Sequence, residues 1–327
     1  MERLLHEWCQ EHLGSPVEAQ FFGVRRISSV HGVRLADDRE VALKIRSAEP
    51  RQAACAVVQR HLWASGLPCP QPLAGPLPLA PLGVLVQGDD GVLDAATLAV
   101  NAETWEGVGV VAIGAGGAPA WGRLAARIVA AAPAPRALGT LQPAPPWLGW
   151  DHSDPHRTWP PPASDRWDPH RVDLLIPPAV HELAGRARAR LRRADVSTLP
   201  VVVGHGDLEA QNCHWVGGHG EPERLVVHDW DSVVAAPEAV IAGNTGLSFA
   251  SVADDAIATI EETEQVLTAY ADTREHPWSA LESEVAWATG AWVAAYNAAF
   301  EHLKDGPGPV TAAARGQAAE RLGRAGA

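Results

Sequence analysis

The chain has 327 residues, a formal net charge of −13 at pH 7, and 46 % hydrophobic against 20 % charged residues. That balance excludes a disordered chain, and the length calls for one large or two closely packed domains. The acidic excess argues against a nucleic-acid partner, whose phosphates need a basic face, and no apolar run reaches the about 20 residues of a membrane span.

Residues 1–14 place Leu4, Leu5, Trp8 and Leu13 at helical spacing among Glu2, Arg3, Glu7 and Glu11. This predicts an amphipathic helix without a secretion layout, hence a cytoplasmic protein. Residues 21–28, 30–35 and 41–45 read as three antiparallel strands, with Asp37-Asp38 turning the chain before the third. Residues 51–65 carry Ala54, Val57, Val58, Leu62 and Trp63 at helical spacing, and Gly66 and Pro68 end that helix. Pro70, Pro72, Pro76, Pro78 and Pro81 make an extended stretch leading to a strand at 83–87, and Gly88-Asp89-Asp90-Gly91 reads as a hinge between two lobes.

Residues 118–131 predict a helix. The stretch 133–178, rich in Pro, Trp, His and Asp, reads as an ordered insertion in which Trp147, Trp150, Trp159 and Trp167 pack rather than stack on a ligand. Residues 180–194 predict a helix with an exposed basic face from Arg186 to Arg193, and 200–204 a short apolar strand. Beyond Pro237 the pattern is helical over 240–253, 256–271 and 278–303, with a fraying Ala, Gly and Arg tail. Asp254, Asp255, Glu261, Glu262, Glu264, Asp272, Glu282 and Glu284 are expected on solvated helix faces. Strands precede helices, an α+β arrangement.

Cys9, Cys55, Cys69 and Cys213 form no Cys-x-x-Cys pair, which predicts reduced thiols. The 26 basic residues include only two lysines, Lys44 and Lys304. Where Arg is the habitual cation, a retained Lys points to a need for a compact ammonium.

The chemistry concentrates after the strand at 200–204. His205-Gly206-Asp207 is followed by four residues and Asn212. Phosphoryl transfer needs a carboxylate to orient and deprotonate a hydroxyl and a nearby polar ligand for metal, and Asp207 and Asn212 suit these roles. Leu225-Val226-Val227-His228-Asp229-Trp230-Asp231 is an apolar strand ending in acids, which makes Asp229 a candidate magnesium ligand and leaves the role of Asp231 open. His205, Cys213, His214, His219 and His228 crowd the same region, but their spacing fits no structural-zinc pattern and the oxygen ligands favour magnesium. No Gly-rich loop ends in Gly-Lys-Ser/Thr, which excludes a P-loop fold.

On these motifs the sequence resembles the aminoglycoside phosphotransferase and choline kinase-like superfamily, most strongly over 201–250 and more weakly over 21–70. The resemblance implies a bilobal protein-kinase-like α+β fold, with a small antiparallel-sheet lobe over 1–88 for nucleotide and a larger, mainly helical catalytic lobe over 89–327. It implies transfer of phosphate from ATP or GTP, with Mg2+, to a hydroxyl of a small molecule, aminoglycoside-like or another amino or polyol metabolite. The charge favours a neutral or cationic acceptor. In this resemblance Asp207 is the catalytic base, Asn212 and Asp229 hold magnesium, and Lys44 is the third-strand lysine on the nucleotide phosphates. The phosphate loop falls at residues 27–32, with the hydroxyls of Ser28 and Ser29, and His205 hydrogen-bonds loop backbone. Such kinases orient the lysine with a Glu on the next helix, yet no acid lies between Arg51 and Gln87, and Glu49 is the nearest candidate. That gap supports an alternative, a nucleotide-binding pseudokinase acting as a regulatory or interaction module.

Overall fold

The computed structural model describes residues 1–25, 28–88, 91–107, 109–114, 116–154, 157–160, 175–193, 195–217, 224–249, 257–274 and 276–327. The strands are β1 (Val17–Arg25), β2 (Ser29–Leu35), β3 (Glu40–Ser47), β4 (Pro72–Pro78), β5 (Leu85–Gly88), β6 (Gly91–Asp94), β7 (Leu98–Thr104), β8 (Val110–Val111), β9 (Val201–His205), β10 (Cys213–Val216), β11 (Arg224–Val227) and β12 (Val233–Pro237). The helices are α1 (Glu2–Leu13), α2 (Gln52–Ala64), α3 (Gly117–Ala131), α4 (Pro178–Leu191), α5 (Glu238–Ser248), α6 (Ile260–Thr273), α7 (Ala280–Asp305) and α8 (Pro309–Arg324). The chain divides into two compact units. One comprises Met1–Val110, Leu138–Leu141 and Trp215–Asp231; the other comprises Val111–Ala137, Gln142–His214 and Ser232–Ala327.

In the first unit an antiparallel sheet runs in the order β1-β2-β3-β7-β4. Period-two alternation sorts β3: Val41, Leu43 and Ile45 fall on one face, and Ala42, Lys44 and Arg46 on the other. The apolar face joins Val33, Leu35, Val100 and Ala102 in one core with Leu4, Leu5, Trp8 and Cys9 of α1. Burying each large side chain of this set contributes about 2 kcal/mol before entropy is counted. Trp8 also donates its indole N–H to Pro78 O at 3.1 Å, which ties α1 to β4. Two strands of this sheet went unread in the sequence: the Pro-rich stretch forms β4, and β7 inserts between β3 and β4. The hinge reading centres on Asp89 and Asp90, outside the described residues; their flanks β5 and β6 pair as a hairpin, Leu85 opposite Asp94.

The second unit comprises helices α3 to α8 and the two-stranded β9–β12 ladder, in which His205 pairs with Val233 and against which α3 and α5 pack. Close approach between α5 and α7 depends on Gly243, where a Cβ would lie 2.1 Å from Ala286 O. The basic stretch of α4 is not wholly exposed: Arg188 and Arg190 are buried, Arg188 donating to Trp150 O, His152 O and Asp154 O, and Arg190 to Glu284 and Asp195. The tail does not fray but forms α8, whose Arg321 is fully buried and donates to Ala258 O and Gln317 Oε1. Burial without such partners would be prohibitive for any of these guanidiniums. Trp150 and Trp159 are buried as expected, whereas Trp167, Asp254 and Asp255 lie outside the described residues. Among the described residues no helix is long and apolar enough to cross a membrane.

Candidate active site

In the first unit, β3 carries Lys44 and Arg46 on the face away from α1. Lys44 Nζ lies 3.1 Å from Glu103 Oε1 and 3.9 Å from Asp229 Oδ1, and Arg46 forms an ion pair with Asp231. Two cations two residues apart on a strand thus meet two carboxylates two residues apart. The acids are delivered by β11, whose Val226 and Val227 are fully buried, and by Trp230, which is 1 % exposed and donates its indole N–H to Val227 O at 2.8 Å. Between these anchors Asp229 adopts φ 62°, in the left-handed region that Asp tolerates better than most residues.

The electrostatics of the cluster follow from burial and pairing. Desolvation works against the charge on Lys44, but Glu103, Asp229 and Asp231 outweigh it and hold the ammonium above the ordinary lysine range. Burial raises Asp229, the Asp231 charge raises it further, and Lys44 offsets part of that. Asp231 is lowered, because Arg46 and Lys44 overcome its own desolvation.

Glu103 is the carboxylate at Lys44 that the sequence reading missed. It belongs to β7, where Lys44 pairs with Asn101 and Ala42 with Glu103, so Glu103 sits diagonally across the ladder from Lys44. Its other oxygen accepts from Gln59 Nε2 of α2 at 2.8 Å. Glu49, the residue nominated for this place, is exposed ahead of α2; among the described residues the ion-pair partners of Lys44 are Glu103 and Asp229. Ser28 and Ser29 are half-buried at the start of β2, beside Val30, which pairs with Lys44. Ile27 of the expected phosphate loop lies outside the described residues, as does His219.

In the second unit, Asp207 follows β9 after Gly206 alone. The His205 side chain, 1 % exposed, accepts from the Asp207 N–H through Nδ1 at 3.1 Å, the backbone-holding role expected of it. A 3₁₀ turn over Ala210–Asn212 folds the chain back, so that Asn212 Nδ2 donates to Asp207 O at 2.8 Å and to Asp207 Oδ2 at 3.1 Å. The four-residue spacing between Asp207 and Asn212 is what this closure requires. Gly206 is held on both sides: its N–H donates to Ser232 O at 2.9 Å, and its carbonyl accepts from Trp147 Nε1 at 2.7 Å and Asn244 Nδ2 at 2.9 Å. A Cβ on Gly206 would stand 2.4 Å from Ser232 O. Trp147 is fixed in turn, its carbonyl accepting from Trp292 Nε1 at 2.9 Å. The Trp- and Pro-rich insertion thereby reaches the loop that bears Asp207.

Among the described residues no group of three or more His, Cys, Asp or Glu side chains is placed to hold a metal ion. Asn212 and Asp229, one in each unit, each offer a hard oxygen donor of the kind magnesium takes, and magnesium keeps several waters beside one or two protein carboxylates. The Asn212 amide nitrogen is committed to Asp207, which leaves the amide oxygen as its donor atom for a cation.

No family model and no curated protein matches the sequence. Solved structures do match. A microcompartment-associated aminopropanol kinase is 14 % identical, with 98 % of this chain and 96 % of that one covered at a TM-score of 0.59. An amicoumacin kinase in complex with AMP-PNP, Ca2+ and its ligand is 12 % identical, over 94 % and 88 % of the two chains, at 0.58. A spectinomycin phosphotransferase in complex with ADP and spectinomycin is 14 % identical, over 100 % and 98 %, at 0.55. At such identities the likeness defines the architecture: the chain has the kinase-like α+β fold shared by these small-molecule phosphotransferases.

Proposed function

We propose that the protein is a small-molecule kinase that moves the γ-phosphate of ATP or GTP to a hydroxyl of a neutral or cationic amino or polyol compound. The observation that carries this reading is the closed Asp207–Asn212 loop, in which one amide fixes both the backbone and the carboxylate of the acid in the base position. The fold supports it, and so does Lys44. The pseudokinase reading rested on a lysine without an orienting acid on the next helix and on a poor phosphate-loop sequence, and Glu103, 3.1 Å from Lys44, answers the first of these.

In this reading Lys44 grips the nucleotide phosphates as a compact charge, with the hydroxyls of Ser28 and Ser29 near the same strand end. Asp207 orients the acceptor hydroxyl and takes its proton, and Asn212 keeps the carboxylate in place while it does so. Asn212 and Asp229 would hold magnesium, which neutralises phosphate charge when bound. Positioning and charge stabilisation supply most of the rate. The acceptor's charge class is argued from the net charge of −13.

The test is phosphate transfer from ATP and GTP across a panel of amino sugars, amino alcohols, neutral polyols and anionic sugars. Transfer to amino or neutral acceptors is the expected result. Nucleotide binding without transfer to any acceptor would favour the regulatory module, and preference for an anionic acceptor would overturn the charge argument.

A further inference from the structure

We propose that Glu103, fixed by Gln59, is the positioning residue that holds Lys44 ready for nucleotide phosphate, so that the orienting carboxylate of this protein lies on a strand of the sheet and not on α2. The inference rests on the nucleotide role given to Lys44 above.

The wiring is closed on every side. Glu103 is 5 % exposed, and its two oxygens are divided between Lys44 Nζ at 3.1 Å and Gln59 Nε2 at 2.8 Å. Gln59, 8 % exposed, also donates through Nε2 to Pro70 O at 3.1 Å, so both its amide protons are committed and its orientation is set. Helix α2 reads QAACAVVQRHLWA and offers no carboxylate. Its contribution is the neutral amide of Gln59, which steers the acid without adding a second negative charge. The other carboxylate in ion-pair range of Lys44, Asp229, stands further off at 3.9 Å and is the one proposed for the metal.

A purely structural account explains this arrangement poorly. A buried ion pair gains little over an apolar pair of the same volume, because desolvation of both charges offsets their attraction. In a chain whose habitual cation is arginine, keeping a lysine here, on a face with its own buried carboxylate, indicates a task for the ammonium. Placement on β7 also has a mechanical meaning. Ladder bonds between β3 and β7 fix the backbone of Glu103 relative to that of Lys44, so α2 has only to set the direction of the carboxylate, through Gln59.

The charge can be moved to test this. Glu103→Gln keeps size and shape, and the double variant Glu103→Gln with Gln59→Glu transfers the carboxylate from strand to helix. Because Lys44 and Lys304 are the only lysines, limited amine acylation read by mass spectrometry reports Lys44 against an internal reference, Lys304, which is 67 % exposed. Each protein is acylated with and without ATP in the presence of a chelator, with ATP affinity measured by calorimetry and kcat and KM measured separately. In the parent, ATP should shield Lys44 relative to Lys304. Glu103→Gln should lose the shielding, bind ATP about tenfold more weakly and lose about 10²-fold in kcat/KM, as expected for a misplaced phosphate-binding charge. The double variant should recover most of the shielding and affinity, which a packing role for Glu103 alone would not produce. Parent-like shielding and affinity in Glu103→Gln would overturn the proposal, as would a folded double variant no better than the single one. If the single variant fails to fold, shielding in the double variant decides alone. A parent that binds no ATP overturns instead the nucleotide reading on which the proposal stands.

Discussion

Asp207 and Asp229 are assigned to different partners, acceptor and metal, so their isosteric variants should fail differently. Asp207→Asn keeps the contacts of its backbone carbonyl with Asn212 but loses the charge that takes the proton. Nucleotide affinity should persist while turnover falls about 10²- to 10⁴-fold. Asp229→Asn should weaken magnesium-dependent nucleotide binding as well as turnover, and calorimetry beside a turnover assay separates the two. Trp147 offers a subtler test. Trp147→Phe removes the donor to Gly206 O but leaves Asn244 there, at a cost of about 1 kcal/mol in stability. Turnover should drop several-fold with nucleotide affinity unchanged, and parent-like turnover would show that the indole does not steady Asp207. At this scale the sequence was readable where spacing along the chain sets the geometry, as in the loop closed by Asn212, and where composition singled out Lys44. Glu103 escaped because its link to Lys44 is a diagonal across paired strands, and nothing in the local sequence of β7 states which strand it will lie beside.

Helix α8 illustrates what one side chain from a neighbouring element can do. Glu301 of α7 accepts from the N–H groups of Gly308, Val310 and Thr311 and from the Thr311 hydroxyl, which satisfies the opening turn of α8. Partial burial acts to raise the Glu301 carboxyl, but the donors of Thr311, Val310 and Gly308 outweigh it and hold it below the ordinary range. Glu301→Ala should cost about 1–2 kcal/mol, and each kcal/mol lowers the melting temperature by about 2–4 °C. The pH dependence follows from the sign. A depressed folded-state value gives stability that is fully present above the ordinary glutamate value of about 4.3 and is lost as pH falls through the folded value. Melting curves of parent and variant should therefore converge in acid; a constant gap would show that the cap acts through packing. The same helix explains a misreading. Its Ala, Gly and Arg sequence has little amphipathic pattern, and the order of α8 comes from Arg321 reaching Ala258 O and Thr263 Oγ1 far back in the chain. Helices α6 and α7 were legible because their apolar periodicity is local, while the Thr259 and Ser279 capping boxes that set their first residues went unread.

For the molecule as a whole, the charge of −13 should appear in kinetics before it appears in affinity. Raising salt from about 0.1 M to about 1 M shortens the screening length from about 10 Å to about 3 Å. KM for a cationic acceptor should rise over that range while KM for a neutral one holds, and an unchanged cationic KM would remove long-range attraction from the account. The buried cysteines have another consequence. Cys9, Cys55 and Cys69 lie in the first unit and Cys213 in the second, and burial pushes the Cys9, Cys69 and Cys213 thiols up to about 12. At neutral pH almost none is thiolate, so an alkylating reagent must wait for the backbone around each to open. The chain thus carries its own chemical clocks, Cys9 and Cys69 timing the sheet-bearing unit and Cys213 timing the helical unit. Cys213 directly follows Asn212, so its clock runs at the speed with which the Asp207 loop lets go; an acceptor that steadies that loop should slow this one clock beyond the others.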